Sequence, residues 1–174
     1  MQLMAFNIIG SYQHYKEVKK KMKPGITQRD LLGKKVIRAA ADIFDGSQTV
    51  LFTVAGGKVL VTNVIIEVTT AAIDAGASNL SLVTNPTVGT DAVMCAVLDI
   101  DGDEIGTIYS ITGEPATALT GGSGGGANSM VSPFIVAEGS VDLLSAADAG
   151  VGGALGYVEI WYIPLDTGAT VVAA

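Results

Sequence analysis

After Gly46 the apolar residues of this chain change period, and that change limits its folds more than any other feature. Up to that point they recur at helical spacing; beyond it they fall into short β-rich runs separated by turn residues. Thr49 to Val54 leads into Ala55-Gly56-Gly57, Lys58 to Thr70 follows, and Asn79 to Thr84 ends at Asn85-Pro86. Further runs are Ala92 to Ile100, Ile105 to Thr112, Val131 to Ala137, Ser140 to Leu144, Gly156 to Pro164 and Ala169 to Val172. Roughly nine strands at this spacing, with no helical pattern between them, disfavour a parallel βαβ fold. They predict a mainly β protein, an antiparallel β-sandwich of jelly-roll kind. With 22 glycines and only 6% aromatic residues, its core must be built from thin β-branched layers. The stretch Thr120 to Ala127, which contains Gly121-Gly122-Ser123-Gly124-Gly125-Gly126, has the composition of a flexible linker and predicts a long hairpin tip or interface loop.

Charge divides the chain at nearly the same place. Nine of the ten Lys and Arg lie at or before Arg38: Lys16, Lys19, Lys20, Lys21, Lys23, Arg29, Lys34, Lys35 and Arg38. Only Glu17 and Asp30 oppose them, so the first 38 residues carry +7 and the remainder −14, which together make the net −7. Tyr12 to Met22 reads as a solvated helix closed by Lys23-Pro24-Gly25. A second helix is predicted from Thr27 and Asp30, which resemble a capping box, through Leu31, Leu32, Val36, Ile37, Ala40 and Ala41, to a stop at Phe44-Asp45-Gly46. The resulting division is a basic, partly helical N-terminal arm, residues 1–41, and a β-sandwich, residues 42–174. A +7 segment beside a −14 body finds its nearest partner in protein of the same kind, in its own chain or a neighbouring one, ahead of nucleic acid.

The inventory of reactive groups is thin. No uncharged apolar stretch of 18 residues exists, which excludes a membrane-spanning helix, and Met1 to Ile9 lacks the charge order of a secretory signal. Cys95, flanked by Val93-Met94 and Ala96-Val97, reads as a small buried hydrophobe. The only imidazole, His14, sits in the basic segment, away from Cys95 and from the serines of the β-domain, so no catalytic triad is predicted and no structural zinc site either. Asp99-Ile100-Asp101-Gly102-Asp103-Glu104 begins like a calcium loop. Glu104 occupies the place where the helical calcium loop needs Gly, so the expectation is an Asp-Gly turn with solvated carboxylates, and a weak calcium or magnesium site is the alternative. Gly150 to Gly156 approximates a dinucleotide fingerprint but precedes a strand, so it lacks the helix N-terminus that holds a pyrophosphate. No enzyme, cofactor or metal is expected.

Several strand and turn segments resemble a known family. They are Leu51 to Val61 (LFTVAGGKVLV), Glu67-Val68-Thr69, Asn85-Pro86-Thr87-Val88-Gly89-Thr90, Gly106-Thr107, Ile111-Thr112-Gly113 and Trp161 to Ala169 (WYIPLDTGA). Together they resemble virion structural proteins of tailed bacteriophages over about residues 43 to 174. The resemblance implies a β-sandwich particle protein. In capsids, small proteins of this look are decoration or cement proteins, often homotrimers seated where major capsid subunits meet. The resemblance therefore implies a place on the capsid surface of a virion assembled in the bacterial cytoplasm, with the major capsid protein and copies of the chain itself as partners. A mean hydropathy of +0.47 and the grouping of Tyr157, Trp161 and Tyr162 point to a subunit contact, and the basic residues of the arm to a grip on neighbouring subunits. The alternatives are a tail, neck or baseplate component, or a carbohydrate-binding β-sandwich module for host attachment.

Overall fold

A computed structural model of the chain describes residues 33–73, 79–122, 125–128, 130–145 and 155–174. All of them belong to one compact unit, Leu32–Ala174. The helix predicted over Tyr12 to Met22 lies outside the described residues.

Among the described residues, twelve strands form two antiparallel sheets. In chain order they are β1 (Lys34–Ala41), β2 (Gln48–Ala55), β3 (Val59–Val68), β4 (Asn79–Pro86), β5 (Ala92–Val93) and β6 (Leu98–Asp99), then β7 (Ile108–Ser110), β8 (Thr120–Gly122), β9 (Phe134–Val136), β10 (Gly139–Ser145), β11 (Gly156–Pro164) and β12 (Thr170–Ala173). The first sheet runs β1-β11-β3-β7-β8, with β9 pairing the other end of β3; the second runs β12-β2-β10-β4-β5, with β6 pairing the other end of β4. From β1 to β4, and again from β9 to β12, the chain changes sheet at every connection.

The alternation read from the sequence decides which faces meet. In β11, Gly156, Val158, Ile160 and Tyr162 are buried while the residues between them are half-buried. β3 alternates likewise until Thr62, where a bulge lets Asn63 pair with Trp161 and Val61 pair with Tyr162. Val64, Ile66 and Val68 then take up the inward positions, joined from the second sheet by Leu51, Phe52, Leu80, Leu82, Val141 and Leu143 in one core cluster. Burying a side chain of this size contributes about 1.5–3 kcal/mol. Thin side chains fill the space because there are many of them, and Tyr109, Phe44 and Phe52 are the largest that are fully buried.

Three expectations from sequence need correction. The second helix is absent where it can be seen: Lys34–Ala41 is strand β1, antiparallel to β11. Gly33 explains the outcome, since its φ of 88° breaks any helix arriving from Thr27, and a Cβ there would overlap the Tyr162 carbonyl. The same eight residues can show an apolar face at either period, and pairing with β11 selects the extended one. Residues read as the end of an arm are thus part of the body. Ala92 to Ile100 is two short strands rather than one, because the adjacent Met94 and Cys95 are both fully buried and cannot alternate. Thr120–Gly122, read as part of a long hairpin tip or interface loop, is strand β8 on β7.

The close approach at Gly33 gives a test. Gly33→Ala should destabilise the chain by about 1–3 kcal/mol in urea unfolding. Gly102→Ala, at a φ of 71° with nothing within 4 Å, should cost less than that. Equal losses would mean that contact with Tyr162 plays no part.

Candidate functional site

The first strand brings together two groups of residues that the sequence keeps far apart. Lys34, Lys35 and Arg38 lie on β1; Tyr157, Trp161 and Tyr162 lie on β11. Register sets Lys34 opposite Tyr162 and Lys35 opposite Trp161. Lys16, Lys19, Lys20, Lys21, Lys23 and Arg29 fall outside the described residues.

On the outward face, Lys35 Nζ donates to Glu159 Oε1 at 2.8 Å and lies 5.4 Å from the centre of the Trp161 ring. The Tyr157 hydroxyl donates to the same Glu159 oxygen at 2.7 Å. A cation over a half-buried indole near the surface is worth about 0.5–1 kcal/mol. Burial alone would raise the Glu159 carboxyl; hydrogen bonds from Lys35 and Tyr157, with the charge of Lys35, outweigh it and hold the group below its usual value. Partial burial, and then the Glu159 carboxylate, push the Tyr157 phenol up to about 12. Ile37 adds an apolar side chain that is 44% exposed. The patch is amphipathic and internally paired, which holds its side chains in fixed positions.

Two of the proposed contact residues do other work. Tyr162 faces inward and is 4% exposed, a member of the core cluster, with Lys34 Nζ 6.0 Å from its ring centre. It is therefore not a surface anchor. Arg38 is half-buried, and its Nε and Nη1 are buried without a hydrogen-bond partner.

Beside this patch, a cavity of about 250 Å³ lies against Asn63, Ile65, Ile108 and Ser110, with Gly125 to Asn128 forming its other wall. Ser110 Oγ donates to Asn63 Oδ1 at 3.4 Å. Among the described residues its lining holds no titratable side chain. The sequence carried one signal for it, the polar Asn63 between the apolar runs of β3.

Cys95 and Asp103 are each held by a hydrogen bond within the fold. Cys95 is fully buried, and burial pushes its thiol up to about 11 while the Leu82 N–H donates to Sγ at 3.2 Å. Asp103 accepts a 2.6 Å hydrogen bond from the buried Tyr109 hydroxyl, whose pKa is raised first by burial and then by that carboxylate. His14 lies outside the described residues. Among the described residues no group of three or more His, Cys, Asp or Glu could hold a metal ion.

Comparison with models of known protein families, with curated proteins and with solved structures returns no match.

The Lys35–Glu159 pair has a pH signature. A carboxyl lowered by folding stabilises above its unfolded value of about 4.3, and that contribution is lost as pH falls through the folded value. Glu159→Gln should cost about 0.2–1 kcal/mol at neutral pH. The deficit should shrink as pH falls through the lowered folded value and vanish once the wild-type carboxyl is protonated. Urea unfolding of both proteins at neutral pH and along a series of acid pH values checks it.

Proposed function

We propose that the chain is a structural protein of a tailed-phage particle, a decoration protein that binds the outside of the capsid, and that its two sheets form a jelly roll. The observation that carries this reading is the strand order. One sheet runs β1-β11-β3-β7 and the other β2-β10-β4-β5, so that taken in chain order the strands fill the places of two interlocked Greek keys. Viral shells use this architecture because it buries both inner faces without helices and leaves its loops free to meet neighbours.

Electrostatics supports the same reading. With β1 counted in the body, residues 1–32 retain six basic and two acidic side chains, a net +4 that precedes an acidic domain. Linking several such segments through one oligomer multiplies their hold on a repeating lattice. The outward patch of Lys35, Glu159, Tyr157 and Trp161 then serves as the contact between copies, with Trp161 as its anchor. A glycan-binding module would want an open ring face for sugar stacking, whereas the Trp161 ring already lies near the Lys35 ammonium.

The position of β1 dictates the test. Deleting residues 1–32 spares the sheet, whereas deleting 1–38 removes most of β1. The shorter deletion should leave a folded trimer in sedimentation analysis and lose at least tenfold in affinity for purified capsids of the parent phage. Undiminished capsid binding would remove the arm from the mechanism. Antibody-gold labelling of whole particles separates the alternatives: label over the shell is expected, while a single ring at the tail or an absence of label overturns the decoration reading.

A further inference from the structure

We propose that the cavity between β6, the turn that follows it and β8 is a binding site for a hard divalent cation, calcium first. Its volume is about 260 Å³, and it is lined by Leu98, Asp99, Asp103, Thr107, Gly121 and Gly122. The inference stands apart from any role in a particle.

Two carboxylates reach this cavity, and each is oriented by a hydrogen bond through one oxygen. Asp99 Oδ1 accepts from the Asp101 N–H at 3.1 Å, and Asp103 Oδ2 accepts from the Tyr109 hydroxyl at 2.6 Å. The second oxygen of each is the ligand for a cation. Acidic residues on a turn are ordinarily just solvated, so the decisive observation is a separate one. Thr107, on the same cavity wall, is 1% exposed, and its buried Oγ1 has no hydrogen-bond partner. A buried hydroxyl left without a partner costs about 1–3 kcal/mol, and a bound cation removes that cost by taking the oxygen as a ligand.

The remaining wall is built for close approach. At Gly121 a Cβ would come within 3.1 Å of the Tyr109 ring and 3.6 Å of Leu98, so a side chain there would crowd the cavity. Among the described residues the side-chain donors that line the space are oxygens, two carboxylates and one hydroxyl. Such a set suits calcium or magnesium and not zinc or copper, which favour imidazole and thiolate. Calcium accepts six to eight irregularly placed oxygens, whereas magnesium demands near-ideal octahedral geometry and keeps its water, so the irregular donors here favour calcium. With only two carboxylates the site belongs to the weak class, with Kd of about 0.1–1 mM. A cation here would join β6 in one sheet to the β7–β8 hairpin in the other.

Isothermal titration of the full chain with calcium chloride, after treatment with a chelator, tests the site. One saturable site in that affinity range is expected. Terbium should compete with calcium and show emission on tyrosine excitation, since Tyr109 touches a ligand. Asp99 is exposed and its replacement spares the core, so Asp99→Asn should weaken binding at least tenfold with an unchanged near-ultraviolet circular dichroism spectrum. Thr107→Val should weaken binding too, without lowering the thermal midpoint of the cation-free protein. Asp91→Asn, on an exposed loop remote from the cavity, should bind as wild type. No saturable binding, or equal affinity in the Asp99→Asn and Asp91→Asn proteins, would overturn the assignment.

Discussion

The pairing of β3 with β11 is the constraint from which the other strands take their places. These are the two longest strands, and their alternation commits one face to the core and the other to the outside. A slip of one residue would turn Val158, Ile160 and Tyr162 outward and bring Glu159 and Trp161 into an apolar interior. The bulge at Thr62 adjusts that register and places Asn63 on the outer face beside Trp161. Once the pair is fixed, β1 adds to the free side of β11, β7 and β9 share the free side of β3, and the second sheet closes over the apolar face.

Much of this was legible in the sequence because side-chain alternation is a local property. Gly156 to Pro164 could be bounded to the residue, since every second position is apolar and Gly and Pro mark its ends. Local patterns fail where partners are remote. Nothing in Lys34 to Ala41 reveals that its partner lies more than a hundred residues away, and its apolar residues suit a helix equally well. Thr120–Gly122 was hidden for the opposite reason, since a strand that pairs through its backbone needs no side chains and composition reads it as linker. The contact candidates show the same limit. Tyr157, Trp161 and Tyr162 form one aromatic group along the sequence, but the two-residue period of a strand sends Tyr162 into the core and leaves the other two outside. The orphan hydroxyl of Thr107 has no sequence signature at all, because whether a hydroxyl is satisfied depends on three-dimensional neighbours.

Charge and fold are superimposed in an unequal way. Lys34, Lys35 and Arg38 belong to the basic first 38 residues by charge but to the acidic body by architecture. Lys35 is neutralised within its own sheet by Glu159, so it contributes to the identity of the outer face more than to long-range attraction. Arg38 keeps two buried nitrogens without partners, a local debt that the compact unit does not settle among the described residues.

β1 is made first and is placed last. The contact between Lys35 and Glu159 spans 124 positions, so during synthesis the opening strand must wait for β11 before it has a neighbour. Until then the first sheet has no edge to receive it, and the loop to be closed is nearly the whole domain. Synthesis of β11 therefore acts as the timer for this edge: β1 becomes anchored to the sheet only after most of the domain exists.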